Sequence, residues 1–192
     1  MHPDIDRIII TADQLAARNR ELGRQITADY AGKPLTVVSI LRGSIIFAAD
    51  LIRHIDLDLE LDFIGAASYG DDTETSGHVD IRKHLDGKVH DRHVLLVDDI
   101  LDTGYTLRAV CELVRISRPA SLKTAVAFDK PARRQVDLKA DYVGFTIDPV
   151  FIVGYGMDLA QKYRTLPYIG VPTEDVLAGV FGRHDRRHSG NG

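Results

Sequence analysis

The segment of residues 94–107, VLLVDDILDTGYTL, constrains the fold of this chain more than any other part of the sequence. Its opening apolar run ends abruptly at two adjacent carboxylates, Asp98 and Asp99. A continuous Val and Leu run is typical of a strand that is buried on both faces of a parallel sheet, and such sheets bind ligands beyond the carboxyl ends of their strands. The segment therefore predicts a central strand with a ligand site at its end.

The sequence period changes after Gly104, where helical spacing begins. The apolar stripe of this helix consists of Leu107, Val110, Cys111 and Val114. Residues 103–106 therefore join a strand to a helix, and the unpaired N–H groups of a helix's first turn are suited to bind phosphate. Gly104 lets the backbone come close to the anion, and Thr103 and Thr106 add hydroxyl donors.

The two carboxylates upstream of this turn would repel a phosphate group, but they suit ribose hydroxyls and a divalent cation. The combination predicts a phosphorylated sugar bound together with magnesium. The plainer alternative is that Asp98 and Asp99 form a solvated loop and that Thr106 only caps a helix. Two other phosphate motifs are excluded, because neither GxxxxGK followed by Ser or Thr nor GxGxxG occurs in the sequence.

The same segment resembles the phosphoribosyl diphosphate (PRPP) motif of type I phosphoribosyltransferases, in which hydrophobic residues precede two acids, two variable residues and a triplet such as Asp-Thr-Gly. Further stretches resemble the hypoxanthine-guanine branch of that family, in matching order over roughly residues 5–171. They are SILRGSIIFAADL at 39–51, ASYGDDTETSG at 67–77, FDKPARR at 128–134 and DYVGFTIDPVFIVGYGMDLAQKYRTLPYIGV at 141–171. The resemblance implies the α/β fold of type I phosphoribosyltransferases, with a central, mainly parallel sheet flanked by helices and a small hood.

The chain of 192 residues is long enough for one domain with a full core and too short for two. We expect a single phosphoribosyltransferase domain over residues 1–182, and the resemblance implies a hood built from parts of the N-terminus and from about 148–175. Residues 183–192 are rich in Arg, His, Gly and Ser without an apolar period, which predicts a disordered tail. A metal-binding or nucleic-acid-binding tail is the alternative.

Composition and charge limit the classes of function. The net charge of −4 argues against broad nucleic-acid binding, which usually needs a basic face. No stretch approaches the ~20 apolar residues that span a bilayer, and the N-terminal MHPDIDR lacks the basic and apolar regions of a signal peptide. We therefore expect a cytoplasmic protein that binds neither nucleic acid nor membrane. The only cysteine, Cys111, is expected to be a buried structural thiol.

Predicted strands and helices alternate along the chain, as in a doubly wound α/β domain. Thr11 and Gln14 have the spacing of a capping box at the start of the first helix. Strands are predicted at 35–41, 57–63, 94–97 and 122–128, short strand-like segments at 142–147 and 151–153, and further helices at 44–55 and 106–116.

The resemblance implies a magnesium-dependent enzyme of purine salvage that transfers the 5-phosphoribosyl group of PRPP to hypoxanthine or guanine. The products would be IMP or GMP and pyrophosphate. Asp98 and Asp99 would contact the ribose hydroxyls and help to position Mg²⁺. Asp102 would be the general base that takes the proton from N7 of the purine as N9 attacks C1 of the ribose. The implied 5-phosphate cradle consists of Thr103, Gly104, Tyr105 and Thr106.

The resemblance also implies a purine site in the second half of the chain. Lys130 would donate to the oxygen at purine carbon 6, which favours 6-oxopurines over adenine. Phe151 would stack on the base, and the backbone of Ile152 would contact its edge. Asp158, on the purine side, would contact a second magnesium ion directly or through water.

Two further loops complete the implied site. The residues implied to bind pyrophosphate are Arg42, Gly43 and Arg164. In the family the peptide bond before the position of Arg42 is often cis, but the sequence of this chain does not show whether its Leu41–Arg42 bond is cis. The patternless stretch 67–77 matches a mobile loop that closes over the reacting centre, with Ser68 and Tyr69 as its contact residues.

Other functions of the same fold remain open at this stage. A xanthine-preferring enzyme would share these residues, because hypoxanthine, guanine and xanthine differ at carbon 2. A uracil-specific enzyme is disfavoured by Lys130, Phe151 and Ile152. A PRPP-sensing, RNA-binding regulator without catalysis would need a basic face, which the net charge does not indicate. The resemblance further implies a homodimer or homotetramer without deciding between them.

Overall fold

The computed structural model describes residues 1–68, 79–87 and 89–181. In chain order, its elements are β1 (Ile5–Ile10), α1 (Ala12–Asp29), β2 (Leu35–Leu41), α2 (Ile45–Ile52), β3 (Leu59–Ser68), β4 (Val79–Lys83), β5 (His93–Leu101), α3 (Tyr105–Ile116), β6 (Ser121–Asp129), β7 (Tyr142–Thr146), β8 (Ile169–Pro172) and α4 (Glu174–Phe181). A 3-10 turn at Pro131–Arg133 lies between β6 and β7.

The central sheet has the strand order β4-β3-β2-β5-β6-β7. Its neighbouring strands run parallel except β3 and β4, which pair antiparallel. The predicted mainly parallel sheet flanked by helices is therefore confirmed. Strands β2 and β5 lie side by side at its centre, with Ser39 opposite Val97. The loops that follow these two strands consequently meet at the same edge of the sheet.

Helices cover both faces of this sheet. Successive residues of a strand point to opposite faces, so two neighbouring strand residues show which helices pack on each face. Val37 packs in one core cluster with residues of α1 and α2, whereas Val38 packs in a second cluster with residues of α3. The predicted apolar stripe of α3 is buried in this second cluster. Cys111 belongs to that stripe, and burial raises the pKa of its thiol to about 11, as befits a structural residue.

The capping box predicted at the start of α1 is confirmed. The backbone N–H of Gln14 donates to Thr11 Oγ1 at 3.3 Å, and the backbone N–H of Thr11 donates to Gln14 Oε1 at 2.8 Å. Two N–H groups that a helix start leaves without intrahelical partners are thereby satisfied.

The central strand β5 is longer than the predicted 94–97, because the acidic pair lies within it and not in a loop after it. Asp98 is paired with Val126 of β6, and the pairing continues to Leu101. The sequence pattern marks where side chains stop being apolar, whereas the backbone ladder continues regardless of side-chain polarity. The alternative of a solvated acidic loop is therefore wrong.

The predicted ends of α2 and β3 shift most, and one predicted strand-like segment is absent. The helix predicted at 44–55 is α2, Ile45–Ile52. Ser44, whose Oγ donates to the carbonyl of Ile40, stands before its first turn. After its last turn, the backbone N–H of His54 donates to the carbonyl of Leu51 in a turn. Strand β3 runs past the predicted end at 63, because its pairing with β4 continues to Ser68. The segment 151–153 is no strand; only Val153 forms an isolated bridge, to Gly170.

A second, two-stranded sheet stands apart from the central one. It pairs β1 with β8 antiparallel, with Ile5 opposite Pro172. A small apolar cluster beneath it contains Ile5, Val153 and Leu159, with side chains of α4 packed against it. This sheet lies in the region predicted as the hood, whose bounds stay a prediction, as does the single domain over 1–182. The predicted tail at 183–192 lies outside the described residues.

In the described part of the chain, no helix has the length and apolar character required to cross a membrane.

Candidate active site

A cavity of about 720 Å³ opens at the edge of the sheet where β2 and β5 end. Its walls combine the loop after β2, the end of β5, the start of α3 and a loop between β7 and β8. The predicted site residues that line it are Arg42, Gly43, Asp98, Asp99, Asp102, Thr103, Gly104, Tyr105, Thr106, Asp158 and Arg164. The structure therefore brings together residues that are spread over more than half of the sequence.

The acidic pair forms the floor of this cavity. Asp98 is 6% exposed and accepts from the backbone N–H of Asp99 at 3.0 Å, while Asp99 accepts from the backbone N–H of Ile100 at 2.9 Å. Burial, reinforced by the neighbouring negative charge, raises the pKa of Asp98 well above the ordinary carboxyl range. Burial also raises the pKa of Asp99, with the Arg164 guanidinium acting in the opposite direction. A bound cation would favour the ionised form of both groups.

The loop from β5 to α3 is held from behind by the segment that follows β6. The carbonyls of Leu101 and Asp102 accept from the Arg134 side chain at 3.0 and 2.9 Å, and the carbonyl of Thr103 accepts from the backbone N–H of Gln135 at 3.0 Å. Gly104 adopts a left-handed conformation, with φ +93°. A Cβ there would also overlap the Val136 side chain, so glycine is required on both counts.

The loop after β2 approaches the acidic pair closely. The Leu41–Arg42 peptide bond is cis, which the sequence had left open. A Cβ on Gly43 would overlap the Asp99 carboxylate, and a Cβ on Gly156 would overlap the carbonyl of Gly43. These two glycines therefore allow three separate segments of the chain to meet at one point of the cavity wall.

The second carboxylate site lies opposite, on the loop between β7 and β8. Asp158 forms an ion pair of 2.7 Å with Arg164, whose guanidinium also donates to the carbonyl of Gly156 at 2.8 Å. The Gln161 side-chain oxygen accepts from Arg164 at 3.2 Å and from Arg42 at 3.4 Å. Two guanidinium groups thus converge on one acceptor oxygen, an arrangement that suits the oxygens of pyrophosphate.

Asp102 lies at the end of the β5 loop and is paired with a residue to which the sequence analysis assigned no role. Arg133 Nε donates to Asp102 Oδ1 at 2.7 Å. Both side chains line the cavity and are partly exposed. The carboxylate predicted to act as a general base therefore already has one oxygen bound to a cation.

The structure does not place the three predicted purine residues on the cavity wall. Lys130 is buried, and its ammonium donates to the carbonyl of Val150 at 2.8 Å. Burial lowers the pKa of this lysine, and the charge of Asp102 opposes that shift. Ile152 is buried, and the ring of Phe151, 39% exposed, packs edge-on against that of Phe181 at 5.8 Å between centroids. Lys130 lies three residues before Arg133, which lines the cavity, and the contact of all three residues with a base stays a prediction.

The predicted mobile loop is described only at its root. Ser68 ends β3, and its side chain is not among the described groups. Tyr69 and residues 70–77 lie outside the described residues.

Three polar residues line the cavity without having been predicted from the sequence: Arg82, Arg133 and Gln161. Arg133 and Gln161 stand inside stretches that carry the resemblance, FDKPARR and the segment 141–171, so their neighbourhood was a usable signal. Arg82 stands on β4 with no motif around it.

The donor set fits a magnesium ion that shares its ligands with a substrate. Carboxylate oxygens are available from Asp98 and Asp99 on one wall and from Asp158 on another. Within the described ranges, no group of three carboxylate, imidazole or thiol side chains converges as a complete metal site. Magnesium commonly takes one or two carboxylates and completes its shell with phosphate oxygens and water, and the cavity offers the carboxylates of this combination.

Comparison with known proteins decides the family. The model of the phosphoribosyl transferase domain matches residues 9–160. The chain belongs to the phosphoribosyltransferase family. The matched range contains the loop after β2, the acidic pair, the loop from β5 to α3 and Asp158, and it ends before Arg164.

Individual relatives lie in the hypoxanthine-guanine branch of the phosphoribosyltransferases. A hypoxanthine-guanine phosphoribosyltransferase of Bacillus subtilis is 43% identical over 171 residues, which cover 89% of this chain and 95% of that protein. The bifunctional protein TilS/HprT of Listeria innocua is 46% identical over 93% of this chain, but the chain spans only 28% of that protein's length. The crystal structure of a hypoxanthine phosphoribosyltransferase from Staphylococcus aureus superposes with a TM-score of 0.88 at 43% identity, over 92% of this chain and 96% of that one.

Proposed function

We propose that this chain is a hypoxanthine-guanine phosphoribosyltransferase of purine salvage. It would transfer the 5-phosphoribosyl group of PRPP to hypoxanthine or guanine and release IMP or GMP with pyrophosphate. The observation that carries the proposal is the arrangement around one cavity of a helix start, a buried acidic pair and two arginines. PRPP has a phosphate at one end and a pyrophosphate at the other, so two cationic ends separated by carboxylates match its charge pattern.

The phosphate end of PRPP would bind at the start of α3. Residues 103–106 supply the backbone N–H groups of the first helical turn and two threonine hydroxyls. Asp98 and Asp99 would accept hydrogen bonds from the ribose hydroxyls. The pyrophosphate end would bind between Arg42 and Arg164, where its oxygens would take the place of the Gln161 oxygen that now accepts from both guanidinium groups.

The reaction exchanges one bond at C1 of the ribose for another. The bond from C1 to pyrophosphate breaks with positive charge developing on the ribose, and the bond from C1 to N9 of the purine forms. The proton on N7 passes to the Asp102 carboxylate, so that the product base is neutral. Arg42 and Arg164 neutralise the departing pyrophosphate.

Magnesium would be held by Asp98, Asp99 and Asp158 together with substrate oxygens. When bound, it supplies positive charge to the pyrophosphate oxygens during the departure of that group. The raised pKa of the buried pair supports this assignment, because two adjacent buried carboxylates gain from a cation between them and the substrate.

The purine would bind beside Asp102, with Lys130 as donor to the oxygen at carbon 6. A lysine ammonium has three N–H donors, and the bond to Val150 occupies one of them. Phe151 would stack on the base, and its edge contact with Phe181 fixes the ring from one side. The names of the relatives support hypoxanthine and guanine as the bases.

The test of the proposal is nucleotide formation from PRPP and Mg²⁺ with five bases in parallel: hypoxanthine, guanine, xanthine, adenine and uracil. We expect turnover of hypoxanthine, guanine or both, and no product from adenine or uracil, because adenine presents a donor where Lys130 also presents one. Preference for xanthine would make xanthine the substrate in place of hypoxanthine and guanine and would leave the proposed reaction unchanged. No product from any base, with PRPP still bound, would contradict the enzymatic proposal and favour a regulator.

Lys130→Ala is expected to raise the KM for hypoxanthine by about tenfold or more and to leave the KM for PRPP within about twofold, because one charged donor to the base is lost. Steady-state kinetics with each substrate varied in turn measures both constants. Lys33→Ala, which removes an exposed lysine remote from the cavity, is the matched control. Equal loss of affinity for both substrates would contradict the role of Lys130.

Two further parts of the proposal rest on the resemblance alone. The segment 67–77, with Ser68 and Tyr69, would close over the bound substrates. The chain would also assemble into a homodimer or homotetramer, which light scattering of the purified protein measures directly.

A further inference from the structure

The ion pair between Arg133 and Asp102 joins the proposed general base to a cation that the proposed reaction does not use. Arg133 belongs to the 3-10 turn after β6, and Asp102 belongs to the loop after β5. The bond joins Nε to Oδ1 at 2.7 Å, and in the described part of the chain Oδ2 of Asp102 accepts no hydrogen bond. One oxygen of the carboxylate is therefore fixed by a protein donor, while the other is available to a substrate.

This division of the two oxygens suits a general base. An aspartate side chain can rotate about two bonds, and proton transfer requires its oxygen to lie within hydrogen-bond reach of the proton. A guanidinium bound to Oδ1 restricts that rotation and sets the plane of the carboxylate. Misplacement of a reacting group by about 1 Å can cost about a hundredfold in rate, so such a restriction is large enough to matter.

The neighbouring Arg134 shows that the two arginines have different tasks. Arg134 donates to the carbonyls of Leu101, Asp102 and Leu138 and pairs with the Asp129 carboxylate. It is only 14% exposed and holds the backbone of the loop. The Arg133 side chain is 51% exposed, and within the described ranges its guanidinium hydrogen-bonds only to the Asp102 carboxylate, so its loss removes no hydrogen bond from the loop backbone.

The exposure of the Arg133 pair also argues against a purely structural role. Ion pairs between solvent-exposed side chains contribute little to folding, because water and salt screen them. A pair of this kind at the cavity wall is therefore better explained by its effect on the carboxylate than by its effect on stability.

We infer that Arg133 is the positioning residue for Asp102, holding Oδ1 so that Oδ2 faces the N7 proton of the bound purine. This inference rests on the proposed function, in which Asp102 is the general base. Arg133 acts through Asp102 and takes no proton itself, since a guanidinium stays protonated in proteins.

Arg133→Ala is expected to lower kcat with hypoxanthine about tenfold to a hundredfold, with the KM for PRPP within about twofold and the melting temperature nearly unchanged. Arg133→Lys should recover part of the loss, because the ammonium still donates to the carboxylate but lacks the planar fork. Arg7→Ala, which removes another exposed, carboxylate-paired arginine, is the matched control and should leave kcat unchanged. Unchanged kcat in Arg133→Ala would overturn the inference.

A more acidic purine substrate provides a readout that a purely structural role of Arg133 would not change. An 8-azapurine gives up its ring proton more readily than hypoxanthine does, so its reaction depends less on a well-placed general base. The loss in Arg133→Ala should therefore be several-fold smaller with the 8-azapurine than with hypoxanthine. An equal loss with both bases would overturn the inference.

A double-mutant cycle with Asp102→Ala separates this inference from the proposed function. If Arg133 acts through Asp102, then Arg133→Ala should cause no further loss in the Asp102→Ala background. If Asp102→Ala is impaired and the two losses multiply, the inference fails while the base role of Asp102 stands. If Asp102→Ala keeps normal turnover, the base role itself fails, and the inference fails with it.

Discussion

Asp102→Asn is expected to lower turnover of hypoxanthine by about two to four orders of magnitude, while PRPP binding is retained. The carboxamide has nearly the same size and can still accept the Arg133 hydrogen bond at its oxygen, but it cannot take the N7 proton. Single-turnover measurement of nucleotide formation at saturating substrates isolates the chemical step.

The control for this variant is PRPP affinity, measured by calorimetry in the presence of magnesium. Affinity within about threefold of the unchanged protein would show that the loop from β5 to α3 is intact. Near-normal turnover in Asp102→Asn would remove Asp102 from the base role. Loss of PRPP binding would instead show that the carboxylate supports the phosphate loop.

Removal of divalent cations is expected to abolish nucleotide formation, and added Mg²⁺ is expected to restore it. PRPP brings a concentrated negative charge against the buried Asp98 and Asp99, and of the arginines that line the cavity only Arg42 and Arg164 are assigned to its pyrophosphate. Activity after dialysis against chelator and after titration with Mg²⁺ measures the requirement. Turnover that survives excess chelator would contradict the metal proposal.

The magnesium requirement should also depend on pH in a defined direction. Burial raises the pKa of Asp98 and of Asp99, so their protonated forms persist to higher pH than those of ordinary carboxyls. A metal ion must displace these protons. The Mg²⁺ concentration for half-maximal activity is therefore expected to rise as the pH falls.

The sequence predicted the parts of the site that depend on local pattern. The apolar run, the acidic pair and Gly104 mark a strand, its polar end and a turn within one short segment, and α3 follows with its stripe buried as predicted. The end of β5 was predicted too early, because pairing of Asp98 with Val126 depends on a neighbouring strand that a one-dimensional pattern does not show.

Contacts between distant segments could not be predicted in the same way. The fit of Gly43 against Asp99 depends on β2 and β5 lying side by side, and the fit of Gly156 against Gly43 adds a third segment. Arg133 stands in the stretch FDKPARR, but its bond to Asp102 depends on the fold, which places its turn next to the end of β5. Gln161 likewise gains meaning only from the two guanidinium groups that reach it.

The pairing of β1 with β8 joins two segments that are synthesised far apart in time. β1 precedes every strand of the central sheet, and β8 follows them all, so β1 has no partner strand until β8 has been synthesised. Contacts of such large sequence separation form late, because their loop-closure entropy must be overcome first. The wall that carries Asp98 and the start of α3 can therefore form on the ribosome before the wall that carries Asp158 and Arg164 exists.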